Sequence, residues 1–175
     1  MPSDLFRTRI VGDSLKSFSQ KTFGSAGLIS SFINEQISLN DSIITALHLN
    51  RKDVIQSIIQ WLEKQTNVRK AFAYEGSRPF PEPPFLNKYE AGYFKGRSGD
   101  IQIILGPGIL ESGSDKGTSH GSTYTYDSHV PCLWMGWKIK PGETMNPIQI
   151  QDIAPTLTSL LHILEPNGCT GKPQT

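Results

Sequence analysis

The sequence predicts an α/β fold in which a few largely buried strands carry helices on their faces. Three stretches predict it. Ile101-Gln-Ile-Ile-Leu105 and Val130-Pro-Cys-Leu-Trp-Met135 are short, nearly continuous apolar runs, of the kind found in a sheet covered on both sides. Between Asp53 and Lys64, the residues Val54, Ile55, Ile58, Ile59 and Leu62 recur at three- and four-residue spacing, the stripe of an amphipathic helix. At 175 residues the chain is long enough to bury a core and is expected to form one domain.

In chain order, Thr8 to Lys16 alternates weakly and then reads as a short helix start, and Lys21-Thr-Phe-Gly-Ser-Ala-Gly27 has the small residues of a linker. Ile29, Phe32, Ile33, Ile37 and Leu39 give residues 28–40 the look of one strand with an ill-defined start. A short helix or turn at Ser42 to Leu49 follows. Asn50-Arg-Lys-Asp53 offers an N-cap with an acidic residue three positions on, a capping-box variant, for the amphipathic helix whose stripe reads as core. Val68 to Tyr74 is the next strand. Pro79, Pro81, Pro83 and Pro84 exclude regular helix and central strand from Glu75 to Lys88, which reads as an extended surface loop; no flanking basic pattern favours a proline-rich docking segment.

Arg97 and Asp100 are expected to hold the start of the strand Ile101 to Leu105 by ion pairing, and Gly106-Pro-Gly108 ends it. Glu111 to Lys116 is a polar lead-in to a loop. Val130 to Met135 is then a buried strand, and the chain turns at a Pro141-Gly142 hairpin. Asp152 is a good N-cap and Pro155 falls in the first turn of a C-terminal helix, with Ile153, Leu157, Leu160, Leu161 and Leu164 on one face.

Apolar residues make up 37% of the chain and charged residues 19%, with net charge +1, so a soluble globular class fits and nucleic acid is not an expected partner. No stretch approaches the roughly 20 apolar residues of a membrane span, and Met1 to Ile10 has no apolar core of a signal peptide. Cys132 and Cys169 form neither a zinc-type pair nor a disulfide framework; Cys132 reads as a buried thiol.

The candidate chemistry lies in the loop Gly117-Thr-Ser-His-Gly-Ser-Thr-Tyr-Thr-Tyr-Asp-Ser-His-Val-Pro131, between two apolar runs. His120 sits among small residues with Gly117 and Gly121 on either side, so its imidazole can approach a metal without obstruction. It supplies one ligand where a catalytic zinc takes three, and a polar loop histidine held by hydrogen bonds is the alternative. Asp127 and His129 are its rivals, Asp127 reading better as a hydrogen-bond partner. Tyr124 and Tyr126 read as packing and hydrogen-bonding side chains, and His48 and His162 as structural. Gly168-Cys-Thr-Gly-Lys172 lacks the spacing and context of a phosphate loop.

Gly117 to Pro131, with Arg97-Ser-Gly-Asp-Ile, Trp137-Lys-Ile-Lys-Pro-Gly-Glu, Gln151-Asp-Ile-Ala-Pro-Thr and Pro166-Asn-Gly-Cys-Thr-Gly-Lys-Pro, resembles the C-terminal part of the bacterial phosphate-irrepressible alkaline phosphatases. These belong to the type I phosphodiesterase and nucleotide pyrophosphatase branch of the alkaline phosphatase superfamily. The resemblance implies part of a three-layer sandwich and makes His120 a ligand of one of two zinc ions per complete site. It also implies an exported, periplasmic parent enzyme that hydrolyses phosphate monoesters, with side activity on diesters, through a phosphoryl-enzyme intermediate. A complete enzyme would add an Asp ligand, a Thr or Ser nucleophile, a Lys-x-Arg pair, and Asp-x-x-x-His and Asp-His-Gly motifs; no counterpart of these is identified. The chain therefore reads as a fragment that is not catalytically competent alone, or as a non-catalytic folded module without metal chemistry. Thr8 to Lys16 resembles an earlier family segment, so residues 1–27 are read as joined to 28–175 by an internal deletion. Apolar surface left uncovered by that deletion would favour self-association.

Overall fold

The computed structural model describes residues 5–74, 85–113, 118, 120–137 and 139–174. The chain divides into two compact units, Met1–Val130 and Pro131–Thr175. In the first, the order is β1 (Leu5–Phe6), α1 (Thr8–Phe23), β2 (Ile29–Ile33), β3 (Gln36–Leu39), α2 (Asp41–Ala46), α3 (Arg51–Leu62), β4 (Val68–Ala73), α4 (Phe85–Gly92), β5 (Ile101–Leu105), β6 (Leu110–Glu111) and α5 (Thr125–Ser128). The main sheet has the spatial order β2-β3-β5-β4 and is antiparallel throughout, while β1 and β6 pair in parallel. Helices flank this sheet, as the α/β reading requires.

The weakly patterned N-terminal stretch is a full helix of 16 residues. Leu15 and Ser19 are buried and Val11 and Phe18 pack against the core, a helical spacing that the intervening polar residues obscure. The expected linker is a structured cap. Gly24 takes the left-handed conformation that ends α1 (φ 84°). Gln20 donates from Nε2 to Gly24 O (3.0 Å) and accepts from Ala26 N (3.0 Å), and Ser19 Oγ donates to Ser25 O (2.7 Å).

Residues 28–40 form two strands, not one. Asn34 and Glu35 both have positive φ (50° and 61°), the two-residue turn whose twist matches a hairpin. Helix α3 begins as expected, with Asn50 Oδ1 accepting from Lys52 N (2.9 Å) and Asp53 N (3.4 Å), and it buries Val54, Ile55, Ile58 and Leu62. Glu75 to Pro84 lie outside the described residues, and Phe85 to Lys88, expected as loop, begin α4. The prolines that exclude helix stop at Pro84, immediately before it.

Strand β5 is buried at every position. Side chains alternate across a strand. Ile101, Ile103 and Leu105, with Ala71 and Ala73 of β4, join Val54, Ile58 and Leu62 of α3 in the main core. The other face carries Phe72, Tyr74 and Gln102, against Tyr89 of α4 and the following Tyr93: Phe72 meets Tyr89 edge to face at 5.4 Å, and Tyr74 stacks on Tyr93 at 4.5 Å. Gln102, the one polar residue of the run, donates to Ile103 O (2.9 Å) and accepts from Tyr74 OH (3.0 Å), so its burial leaves no polar atom unmatched.

Asp100 does hold the start of β5, but with a different partner. It pairs with Arg51 at the head of α3 and accepts from Leu39 N at 2.7 Å. Arg97 instead lies over the Phe94 ring at 4.7 Å.

In the second unit a 3₁₀ turn, Ile150–Asp152, leads into α6 (Ile153–Leu161). Asp152 does not cap α6. Its carboxylate accepts from Gln149 N (2.9 Å), Lys172 N (2.8 Å) and Gln174 Nε2 (3.3 Å), and these bonds, that from Gln149 foremost, lower its pKa. The tail thus packs on the polar side of α6, where Pro155, Thr156 and Thr158 are buried, while Leu157 and Leu161 are exposed. Gly171 passes so close to Gln151 that a Cβ there would overlap its carbonyl oxygen. The expected strand Val130 to Met135 does not form, no paired strands flank Pro141-Gly142 among the described residues, and Cys132 is exposed. A strand needs a hydrogen-bonded neighbour, and among the described residues no strand pairs with this run.

Asp100→Ala removes the partner of Arg51 and of the Leu39 N–H together. Bonds to charged groups are worth about 1.5–3 kcal/mol, so the variant should unfold at a lower urea midpoint, by about 2–3 kcal/mol, with an unchanged slope.

Candidate functional site

His120 lies in the connection between β6 and α5 and is exposed. Of the residues around it, Thr118 and 120–131 are described. The part that follows His120 is tied down by its own side chains. Asp127 Oδ2 accepts from Ser122 N (3.2 Å) and from Ser122 Oγ, which closes the chain on itself two residues after His120. Gly121 between them has φ 104°, a conformation that side chains resist.

Tyr124 anchors the middle of the segment. Its hydroxyl donates to Leu105 O (2.9 Å), the last residue of β5, and accepts from Arg69 Nη1 (3.2 Å). Its ring stacks on Tyr126 (5.4 Å, 6° between planes), whose hydroxyl accepts from Gly108 N (3.0 Å) in the turn after β5. From α4, Lys88 Nζ donates to Thr123 O (2.8 Å) and Ser128 Oγ (2.6 Å). Both tyrosines are therefore hydrogen-bonding side chains, as their sequence context suggests, and Asp127 is a hydrogen-bond partner within the loop. His129 ends α5 and is exposed, with its N–H donating to Thr125 O (2.8 Å). His48 and His162 take positive φ (52° and 55°) at the C-terminal ends of α2 and α6, positions that cap helices.

Burial shifts two titrating groups of the first unit, of which Tyr89 touches the anchored segment through Thr123. Glu35, in the hairpin turn, has its pKa raised from 4.5 to about 7 by burial and by the Glu111 carboxylate. Burial raises the Tyr89 phenol, with Glu35 and Tyr124 adding to it and a Thr123 hydrogen bond opposing it. Neither Glu35 nor Lys88 stood out in the sequence. Glu35 occupies a turn position that usually takes glycine or asparagine, and Lys88 lies in a stretch that the prolines made look like loop.

Among the described residues, no three His, Cys, Asp or Glu side chains converge to hold a metal ion. Zinc in a catalytic site takes three protein ligands, so the described residues do not by themselves fit one. Spelled literally, a Lys-x-Arg triplet does occur, at Lys95-Gly96-Arg97. It sits in an exposed turn where Gly96 has φ 83°, with Arg97 N donating to Phe94 O (3.0 Å).

The sheet and its flanking helices match an alkaline-phosphatase-like sandwich. The crystal structure of wild-type alkaline phosphatase PafA superposes on 99% of this chain and 33% of its own, with TM-score 0.81 and 35% identity. A substituted variant of PafA gives 0.77 and 36% over 93% of this chain and 31% of its own. In sequence, the chain is homologous to alkaline phosphatase PafA of Elizabethkingia meningoseptica, with 37% identity over 100% of this chain and 32% of that protein. A Myroides odoratus protein named a calcium-transporting ATPase is 36% identical over 98% of this chain and 32% of its own length. Alkaline phosphatase PhoV of Synechococcus elongatus is 38% identical over 80% and 26%. The chain thus spans about a third of the length of the curated relatives it matches, or less. No protein-family profile matches it.

A carboxyl whose pKa rises on folding holds more protons folded than unfolded between the two values, so Glu35 makes stability fall as pH climbs from about 4.5 to about 7. Glu35→Gln should therefore melt higher than the parent above pH 7, and the difference should close as pH drops to 4.5. A constant difference across that range would contradict the assignment.

Proposed function

We propose that this chain is the C-terminal part of a zinc-dependent phosphoesterase in the type I phosphodiesterase and nucleotide pyrophosphatase branch of the alkaline phosphatase superfamily, and that His120 supplies one zinc ligand. The observation that carries the reading is the Gly-Thr-Ser-His-Gly-Ser loop, held from Ser122 onward against the C-terminal end of a buried strand. Homology along the whole chain to the PafA enzyme supports it. The complete enzyme would be an exported, periplasmic protein that holds two zinc ions. It would hydrolyse phosphate monoesters, with side activity on diesters, through a phosphoryl-enzyme formed on a hydroxyl outside this chain. Zinc would supply charge stabilisation at the reacting phosphoryl oxygens. This chain's part is to hold the His120 imidazole in place. Alone, with one such ligand, it hydrolyses nothing.

A chimera in which this chain replaces the matching third of the Elizabethkingia enzyme tests the assignment. The chimera should bind two zinc ions and hydrolyse a chromogenic phosphate monoester. His120→Ala in it should lose one zinc and at least about 100-fold in kcat/KM. Full zinc content in that variant would remove His120 from the ligand set, and stoichiometric zinc with turnover in the unfused chain would show that the site is complete here.

The uncovered apolar side chains of the second unit favour self-association of the isolated chain. Leu133, Met135, Met145 and Leu164 are all more than 90% exposed. Sedimentation should show dimers or larger species whose proportion grows with concentration; a monodisperse monomer at high concentration would refute this.

A further inference from the structure

We infer that Tyr124 and Lys88 are positioning residues for His120, a two-point clamp that sets where the imidazole stands. The inference rests on the metal reading of His120 for its purpose, but not for its test. Helix α5 has four residues, Thr125–Ser128, far too short to persist by its own hydrogen bonds. What holds it is external. Lys88 bridges its two ends, donating to Thr123 O before it (2.8 Å) and to Ser128 Oγ at its close (2.6 Å). The Ser128 hydroxyl, accepting from Lys88, donates onward to Tyr124 O (2.9 Å), so one ammonium orders both the backbone and the side chain of the turn.

Lys88 is itself placed by packing, because its neighbour Tyr89 lies edge to face on Phe72 of β4 at 5.4 Å. Tyr124 fixes the same turn from the other side, through Leu105 O at the end of β5 (2.9 Å). The turn then passes its position back along the chain. Asp127, inside α5, holds both the N–H and the hydroxyl of Ser122, and only Gly121 separates Ser122 from His120. A glycine at φ 104° at that point sets a sharp bend whose direction depends on where Ser122 is held. Lys88 and Tyr124 thus act on His120 through Asp127 and Ser122.

The test uses the full chain without added metal. Backbone order parameters would be measured at Ser122 and Asp127, with ring relaxation at His120, in the parent and in Tyr124→Phe, Lys88→Met and Lys88→Arg. Tyr124→Phe keeps the ring and its stacking and removes only the hydroxyl, so it folds even if Lys88→Met does not. In Tyr124→Phe and Lys88→Met the order parameters should fall from about 0.85 toward 0.6. The His120 ring should become mobile with them, the amides of Ile101 to Leu105 should stay rigid, and Lys88→Arg should recover most of the loss. A loop that loosens while the His120 ring is unchanged would overturn the inference, since the clamp would then be merely structural. So would unchanged order throughout, or a loss that spreads equally into β5. Because no metal is present, these outcomes stand apart from the zinc assignment, which the chimera tests separately.

Discussion

One carboxylate, that of Asp100, joins elements that are remote in sequence, and the geometry of the first unit depends on it. It accepts from Leu39 N at the end of β3 and pairs with Arg51 at the head of α3, while Arg51 Nε also donates to Asp41 in the first turn of α2 (2.9 Å). The backbone N–H of Asp100 adds a bond to Ile37 O (2.8 Å). The chain can come this near β3 only because Gly99 precedes it: a Cβ there would lie 2.9 Å from Ile37 O. The half-buried ion pair is fully partnered, which is the condition under which such a group holds a structure together instead of destabilising it.

With its start fixed, β5 can serve two faces at once. On one, its isoleucines complete the aliphatic core with α3. On the other, an aromatic layer of Phe72, Tyr74, Tyr89 and Tyr93 seats α4. Beyond the end of β5, the Tyr124 hydroxyl reaches Leu105 O. The loop of His120 is therefore referenced to the most buried strand at one point and to the aromatic layer, through Lys88, at another. Rigidity of this kind is what the proposed metal role of His120 requires, because a loop has no ladder of its own to define it.

Much of this was legible in the residues. The stripe of α3, its Asn50 cap and the buried run of β5 carry strong local signals, and local and tertiary preferences agree there. Helix α1 signals weakly in sequence because its buried positions include Ser19, a polar residue satisfied by Ser25 O, which breaks the apolar spacing. The hairpin of β2 and β3 looks like one strand in sequence because its turn is Asn34-Glu35, without the glycine that usually marks such a turn. Asp100 is conspicuous in sequence beside Arg97, three residues away, yet its ion-pair partner lies 49 residues away at Arg51. Position in sequence says little about ion pairs that close across a fold. The motif around His120 was visible, whereas its support by Lys88 was not, since that contact spans 35 to 40 residues.

The run Val130 to Met135 shows a different limit. Its composition is that of a buried strand, yet Leu133 is 91% exposed and Met135 98%. Sequence reports that such side chains need cover; it does not report where the cover comes from. Helix α6 makes the same point from the opposite side. Its polar face is fully used, with Asp152 and Thr156 gripping the tail through Lys172 N and Gln174 N, and with Gly171 admitting the close approach. That leaves the apolar stripe at Leu157 and Leu161 facing outward. A helix whose polar side is internally committed cannot turn over to hide its apolar side without breaking those bonds. The exposed stripe is thus a fixed feature of the second unit.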